Sequence, residues 1–168
     1  VVMNLAAHGL RDPQAINILF EHKVRFTHLG RKDRLPSEVR AAIEDLELKT
    51  QGFSNRFVNL AIDYGGEDEM TRAVVRIIED TKDGKVSSEH FLQNRETLYQ
   101  YLDTSGQPLP DLVVRTGVSS GEIPHTSGFM PLQTAYAGWV FVPTLFPDLK
   151  PEGLLATMQE FIAYEKRV

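Results

Sequence analysis

Strand-type and helix-type apolar spacings alternate along this chain, and that alternation constrains its fold more than any other feature. Val24-Arg-Phe-Thr-His-Leu29 alternates apolar and polar residues and stops at Gly30, the pattern of a half-buried strand leaving for a loop. Pro36 and Ser37 then open a segment in which Val39, Ile43 and Leu46 share one helical face, and the spacing predicts a helix over 37–50. Phe57-Val-Asn-Leu-Ala-Ile62 is a more continuous apolar run stopped by Tyr64-Gly65-Gly66, as expected of a central parallel strand covered on both faces. Met70, Val74, Ile77 and Ile78 mark the next helix, and Ser88 is placed to cap a further helical stretch carrying Phe91, Leu92, Leu98 and Tyr101. Leu112-Val113-Val114 reads as a short buried strand ending at Arg115-Thr116-Gly117, and Trp139-Val-Phe-Val142 as the last strand. Leu154, Leu155, Met158, Phe161 and Ile162 then mark a final amphipathic helix. The expected fold is α/β, a mostly parallel central sheet with helices on both faces.

The chain has 168 residues, 42% hydrophobic and 24% charged, so the expectation is one globular domain over 1–168. A net charge of −5 offers no basic face for nucleic acid, which is not expected as a partner. With no cysteine there is neither a disulfide framework nor a thiolate metal site, and a cytoplasmic protein is the simpler expectation. No apolar run reaches the ~18 residues that span a bilayer, and Val1-Val2-Met3-Asn4 does not open like a signal peptide.

Ligands of open α/β sheets gather beyond the carboxyl ends of the strands, and two segments fall there. In Asp63-Tyr-Gly-Gly66-Glu-Asp-Glu69 the paired glycines admit a close backbone approach, but the acidic run opposes a phosphate, so a structural junction is favoured. The second runs from Arg115-Thr116-Gly117 to Ser127-Gly128-Phe129 and combines a guanidinium, hydroxyls and glycines. That set suits a phosphate or carboxylate, because the planar guanidinium fork matches two anion oxygens; an Arg115 paired with a neighbouring carboxylate is the structural alternative. The five histidines, His8, His22, His28, His90 and His125, form no metal-binding pair; His28 reads as structural, and only His125 lies in a candidate site.

Asp111-Leu-Val-Val-Arg-Thr-Gly117, Thr126-Ser-Gly-Phe-Met-Pro-Leu-Gln-Thr-Ala-Tyr-Ala137 and Trp139-Val-Phe-Val-Pro-Thr-Leu-Phe-Pro-Asp148 together resemble the cis-prenyltransferases, the family of undecaprenyl diphosphate synthase. His22-Lys-Val-Arg25 to Gly30, Asn59-Leu-Ala-Ile-Asp-Tyr-Gly-Gly66 and Phe161-Ile-Ala-Tyr-Glu-Lys-Arg167 agree, so the resemblance covers about 20–168. It implies condensation of isopentenyl diphosphate with an allylic diphosphate to a cis-prenyl diphosphate, with Mg²⁺, in a cytoplasmic homodimer that touches a membrane peripherally through its lipid product. Arg115, Thr116, Ser127 and His125 would then hold the isopentenyl diphosphate side, and Phe129, Tyr136, Trp139 and Phe141 would supply interface aromatics or else fill the monomer core, the latter being favoured for Phe141 in its strand pattern.

The departures from the family pattern are specific. His125 stands where the family has a second arginine, after four extra loop residues in Val118 to Pro124. Gly138 stands where the family has a Mg²⁺-binding glutamate, which removes that carboxylate. No Asp-Gly-Asn motif occurs, so the catalytic aspartate, first strand and first helices are expected upstream of residue 1 or lost, and Asn4 or Arg11 is at best a remnant of the following motif. In a catalytic form Mg²⁺ would then be held chiefly by the diphosphates and an aspartate outside this sequence; the alternative to that alignment is that Glu122 in the inserted loop has taken the glutamate's role. A non-catalytic partner subunit, and a relative with short-chain or branching coupling chemistry, are the competing expectations.

Overall fold

The computed structural model describes residues 9–166, which divide into two compact units, one ending at Gln107 and one beginning at Pro108. Asn4 lies outside the described residues, whereas Arg11 sits on the surface and donates from Nη1 to Glu38 Oε1 at 2.7 Å.

The first unit opens with α1 (Pro13–Glu21), where Asp12 accepts from the Gln14 N–H and Pro13 occupies a first-turn position that needs no donor. β1 (Val24–Leu29) pairs in parallel with β2 (Arg56–Ala61), from Val24 opposite Arg56 to Leu29 opposite Ala61. A parallel pair needs a crossover, supplied by α2 (Ser37–Thr50). Its Val39, Ala42, Ile43 and Leu46 are buried with Phe26, Leu35 and Leu10 in the unit's apolar core. Two β1 donors two residues apart, and so on one strand edge, find partners on α2: Phe26 N–H donates to Thr50 Oγ1 at 3.0 Å and His28 N–H to Glu47 Oε1 at 2.9 Å. Side chains of α2 thus satisfy backbone donors of β1 that β2 does not reach.

β1 ends at Gly30, which has φ +116°; a Cβ there would lie 2.5 Å from the Ile62 carbonyl oxygen, so only glycine fits this crossing. After β2 comes α3 (Gly66–Lys82) with Glu67, Asp68 and Glu69 in its first turn, where exposed amides favour negative charge. Glu69 is fully buried, accepting from Tyr64 Oη at 2.6 Å and Asp103 N–H at 2.8 Å. Arg72 forks onto both Asp103 oxygens at 2.8 Å, and Asp103 Oδ2 also accepts from Gly30 N–H. This polar seam explains a difference from the sequence pattern: α3 buries Glu69 and Ala73, while Val74 and Ile78 are exposed.

The helical stretch from Ser88 divides in two. α4 (Ser88–Gln93) is capped by Ser87, not Ser88, and a 3₁₀ helix follows over Arg95–Tyr101. The break falls at Asn94, whose φ of −128° and ψ of 79° lie outside the helical range. β2 is largely exposed, with Val58 at 44%, instead of covered on both faces, because among the described residues β1 is the one strand that pairs with it.

The second unit pairs β3 (Leu112–Thr116) with β4 (Gly138–Val142) in parallel, Arg115 opposite Phe141, and ends with α5 (Pro151–Glu165). β3 is half-buried, not the buried strand its apolar run suggested. On α5 the buried residue is Thr157, Phe161 is half-buried, and Leu154, Leu155, Met158 and Ile162 are exposed. The parallel strands with intervening helices make the chain α/β, as the alternation implied.

Candidate functional site

The second unit carries the stronger of the two strand-end segments. Beyond β3 the pairing continues through Gly117 N–H to the Thr144 carbonyl at 2.9 Å and Val118 N–H to the Val142 carbonyl at 3.1 Å, which fixes where the loop departs. The loop then turns back on itself: Ser119 N–H donates to Glu122 Oε2 at 2.6 Å, and Glu122 N–H to the Ser119 carbonyl at 3.1 Å. An open depression of about 330 Å³ results, lined by Arg115, Gly117, Val118, Glu122, Ile123, Pro124 and His125.

Arg115 is the group in this depression with unused capacity. Its Nε is buried with no hydrogen-bond partner, and no ion pair is formed by its guanidinium among the described residues. A buried donor without an acceptor costs free energy that an anion in the depression would recover. The carboxylate-paired Arg115 that the sequence left open is not what the geometry shows.

His125 lines the same depression, and its Nδ1 lies 3.0 Å from Ser127 Oγ. Ser127 has φ 52°, a left-handed conformation that a non-glycine residue adopts at some cost, and the contact with His125 helps to hold it. Of the four residues singled out in the sequence, Arg115 and His125 share the depression, Ser127 joins through His125, and Thr116 is half-buried outside the lining. Val118, Ile123 and Pro124 complete the wall; they belong to the stretch of extra loop residues, whose contribution no spacing rule announces.

The segment at the start of α3, in the first unit, is already internally paired. Arg34 forks onto both oxygens of Asp63 at 2.6 Å, and Asp68 accepts from Arg72 at 2.8 Å and Arg31 at 3.1 Å. The Arg34 guanidinium holds Asp63 below the usual carboxylate range, and Arg72, then Arg31, do the same for Asp68. These carboxylates serve the junction, as the structural reading of the acidic run expects. His28 is likewise internal: 5% exposed, with Nε2 2.9 Å from the Ile62 carbonyl, and its imidazole pKa is lowered by burial.

The residues present do not fit a protein-held Mg²⁺. Among the described residues no three acidic or histidine side chains converge as a metal would require. Glu122 is the single carboxylate in the depression, and one of its oxygens already closes the Ser119 turn. Gly138 opens β4, its backbone outside the left-handed region, and a Cβ built there would lie 2.6 Å from Phe161 Cε2. Phe161 therefore occupies the space a side chain at 138 would enter, a role that its place in a terminal motif gave no means of reading.

Known proteins match the chain along most of its length. The family model described as "Putative undecaprenyl diphosphate synthase" matches residues 1–168. The chain is 36% identical over 166 residues to a tritrans,polycis-undecaprenyl-diphosphate synthase (geranylgeranyl-diphosphate specific) of Pyrococcus abyssi, covering 99% of this chain and 61% of that protein. To an isoprenyl transferase of Chlamydia caviae it is 38% identical over 160 residues, covering 95% of this chain and 60% of the relative. The crystal structure of lavandulyl diphosphate synthase from Lavandula x intermedia, in complex with dimethylallyl diphosphate, superposes with a TM-score of 0.81 at 26% identity over 95% of this chain and 66% of that one. This chain thus spans about three fifths of the length of the curated relatives it matches. With a family model matched from its first residue to its last, the chain belongs to the undecaprenyl diphosphate synthase family, the cis-prenyltransferases.

Proposed function

We propose that the protein from which this chain comes condenses isopentenyl diphosphate with an allylic diphosphate to give a cis-prenyl diphosphate. The carbon–oxygen bond of the allylic donor breaks with release of pyrophosphate, the allylic cation is captured by the double bond of isopentenyl diphosphate, and one proton leaves. The protein's task in such a reaction is to position two diphosphates and stabilise developing charge. The observation that carries the reading is Arg115, a guanidinium with a buried, unpartnered Nε at a concave strand end shared with His125. Arg115 would take the diphosphate of isopentenyl diphosphate, with His125, Ser127 and Thr116 completing the shell. Mg²⁺, the ion that the resemblance implies, would be held chiefly by the diphosphates and an aspartate outside this sequence.

The wider reading is a cytoplasmic homodimer of one domain per chain that meets membranes only through its lipid product. Tyr136 at 95% exposure, with Phe129, Phe141 and the apolar residues of α5, supports a self-association face on the second unit. No helix among the described residues is long and apolar enough to cross a membrane.

A second reading, a non-catalytic partner subunit, is favoured by the ring of Phe161 at the position of the family glutamate. The fold likeness to lavandulyl diphosphate synthase keeps branching coupling as a variant of the first. Incubating the protein with radiolabelled isopentenyl diphosphate and dimethylallyl, farnesyl or geranylgeranyl diphosphate separates them. Labelled cis-prenyl diphosphates longer than the primer support chain extension, and a single branched coupling product the variant. No labelled product, together with stimulation of an active relative on mixing, would replace the enzyme by the partner.

A further inference from the structure

We infer that a proton on His125 governs how tightly the Arg115 depression holds a diphosphate, the imidazolium binding it firmly and the neutral imidazole weakly. The inference rests on the diphosphate reading of the Arg115 site and goes beyond it in assigning that site a regulator.

The net charge of the depression depends on His125. Its charged and titratable lining groups are Arg115, at the end of β3, and Glu122 and His125, on the loop that follows; β4, which pairs with β3, adds none to the lining. The formal charges of Arg115 and Glu122 cancel. The lining is therefore neutral overall with an uncharged His125 and positive by one charge with an imidazolium, and the second state alone attracts a diphosphate through its net charge.

Hydrogen bonding points the same way. His125 Nδ1 lies 3.0 Å from Ser127 Oγ, and a hydroxyl can donate or accept in that contact, so Ser127 orients the ring in both charge states. The other ring nitrogen, Nε2, has no partner among the described residues. In the imidazolium both nitrogens donate, which makes Nε2 a charged donor for a phosphate oxygen, whereas the neutral ring offers at most an uncharged one. Histidine is also the side chain whose charge ordinarily changes within about pH 5–8. Binding and protonation favour each other by linkage, so the diphosphate takes up a proton at His125 and its affinity falls as the pH rises through that range.

Calorimetric titration of isopentenyl diphosphate at about pH 6 and about pH 8, at constant Mg²⁺ and ionic strength, tests the inference in wild type, His125→Gln and His125→Arg. Melting curves verify that each protein is folded. The ligand's own phosphate ionises in the same range, but equally for all three proteins, so the quantity compared is the ratio of Kd values at the two pH values. That ratio should be at least about fivefold larger for wild type than for either variant, the difference between a charged and a neutral hydrogen bond. At the higher pH His125→Arg should bind at least about fivefold more tightly than wild type, because its charge persists. A wild-type ratio equal to that of His125→Gln overturns the inference while leaving the diphosphate site in place. So does a His125→Arg protein that loses affinity with pH as wild type does, since the dependence would then lie outside position 125. Absence of wild-type binding at both pH values removes the Arg115 reading itself, and the inference with it.

Discussion

Gly138 and Phe161 illustrate how one residue's meaning depends on a partner far along the chain. Gly138→Ala adds a methyl group against the ring and is expected to destabilise the fold by about 1–3 kcal/mol, the range for overpacking, and Phe161→Leu in the same chain should recover most of the loss. Urea denaturation of the three variants measures this, and an unaffected single variant would show that the ring yields freely. His28 is a second case. Burial lowers its pKa from the ordinary 6.5, so the unfolded chain binds its proton more readily than the folded one. Its contribution to stability is accordingly full above pH about 6.5 and is lost as the pH falls through the lowered folded value. His28→Gln should flatten the acid side of the stability profile in that window; a profile as steep as wild type would place the effect elsewhere. That His28 is structural could be read from its place in an alternating strand, but the Ile62 carbonyl that receives Nε2 could not, since it comes from the next strand's end.

At the scale of elements, α2 and α5 emerged from their apolar spacing because such patterns depend on residues three and four apart. The helix over 37–50 is found with those bounds. What spacing does not carry is which face wins when polar groups pair: α3 turns Glu69 inward because Tyr64 and Asp103, distant in sequence or outside the helix, satisfy both carboxylate oxygens. Arg72→Ala tests that seam. Asp103, with a side chain only 10% exposed, would lose both guanidinium bonds, at a cost of about 3–5 kcal/mol for a broken buried pair. Lys49→Ala, which breaks an exposed pair with Asp45 on α2, should cost about 0.5 kcal/mol or less. Equal melting temperatures for the two variants would contradict the weight given to the seam. At the candidate site, Arg115 and His125 were legible as chemistry at a strand end, but Thr116's position outside the depression and the wall made by Ile123 and Pro124 depend on how the loop folds back.

For the whole molecule, the proposed homodimer predicts a sedimentation coefficient corresponding to twice the chain mass of 18.9 kDa at micromolar concentration, with Tyr136→Asp shifting the balance toward monomer. Monomer alone in the wild type would leave the exposed aromatics of the second unit without that explanation. The proposed function stands on Arg115 as the holder of a diphosphate. Its most direct test is the affinity for isopentenyl diphosphate of wild-type protein against Arg115→Ala, with Arg115→Lys as the variant that keeps the charge and loses the fork. Loss of a charge-assisted, two-point contact worth about 1.5–3 kcal/mol predicts about 10- to 150-fold weaker binding for Arg115→Ala, and an intermediate loss for the lysine form. Unchanged affinity in a correctly folded Arg115→Ala protein would contradict the site, and with it the function proposed here.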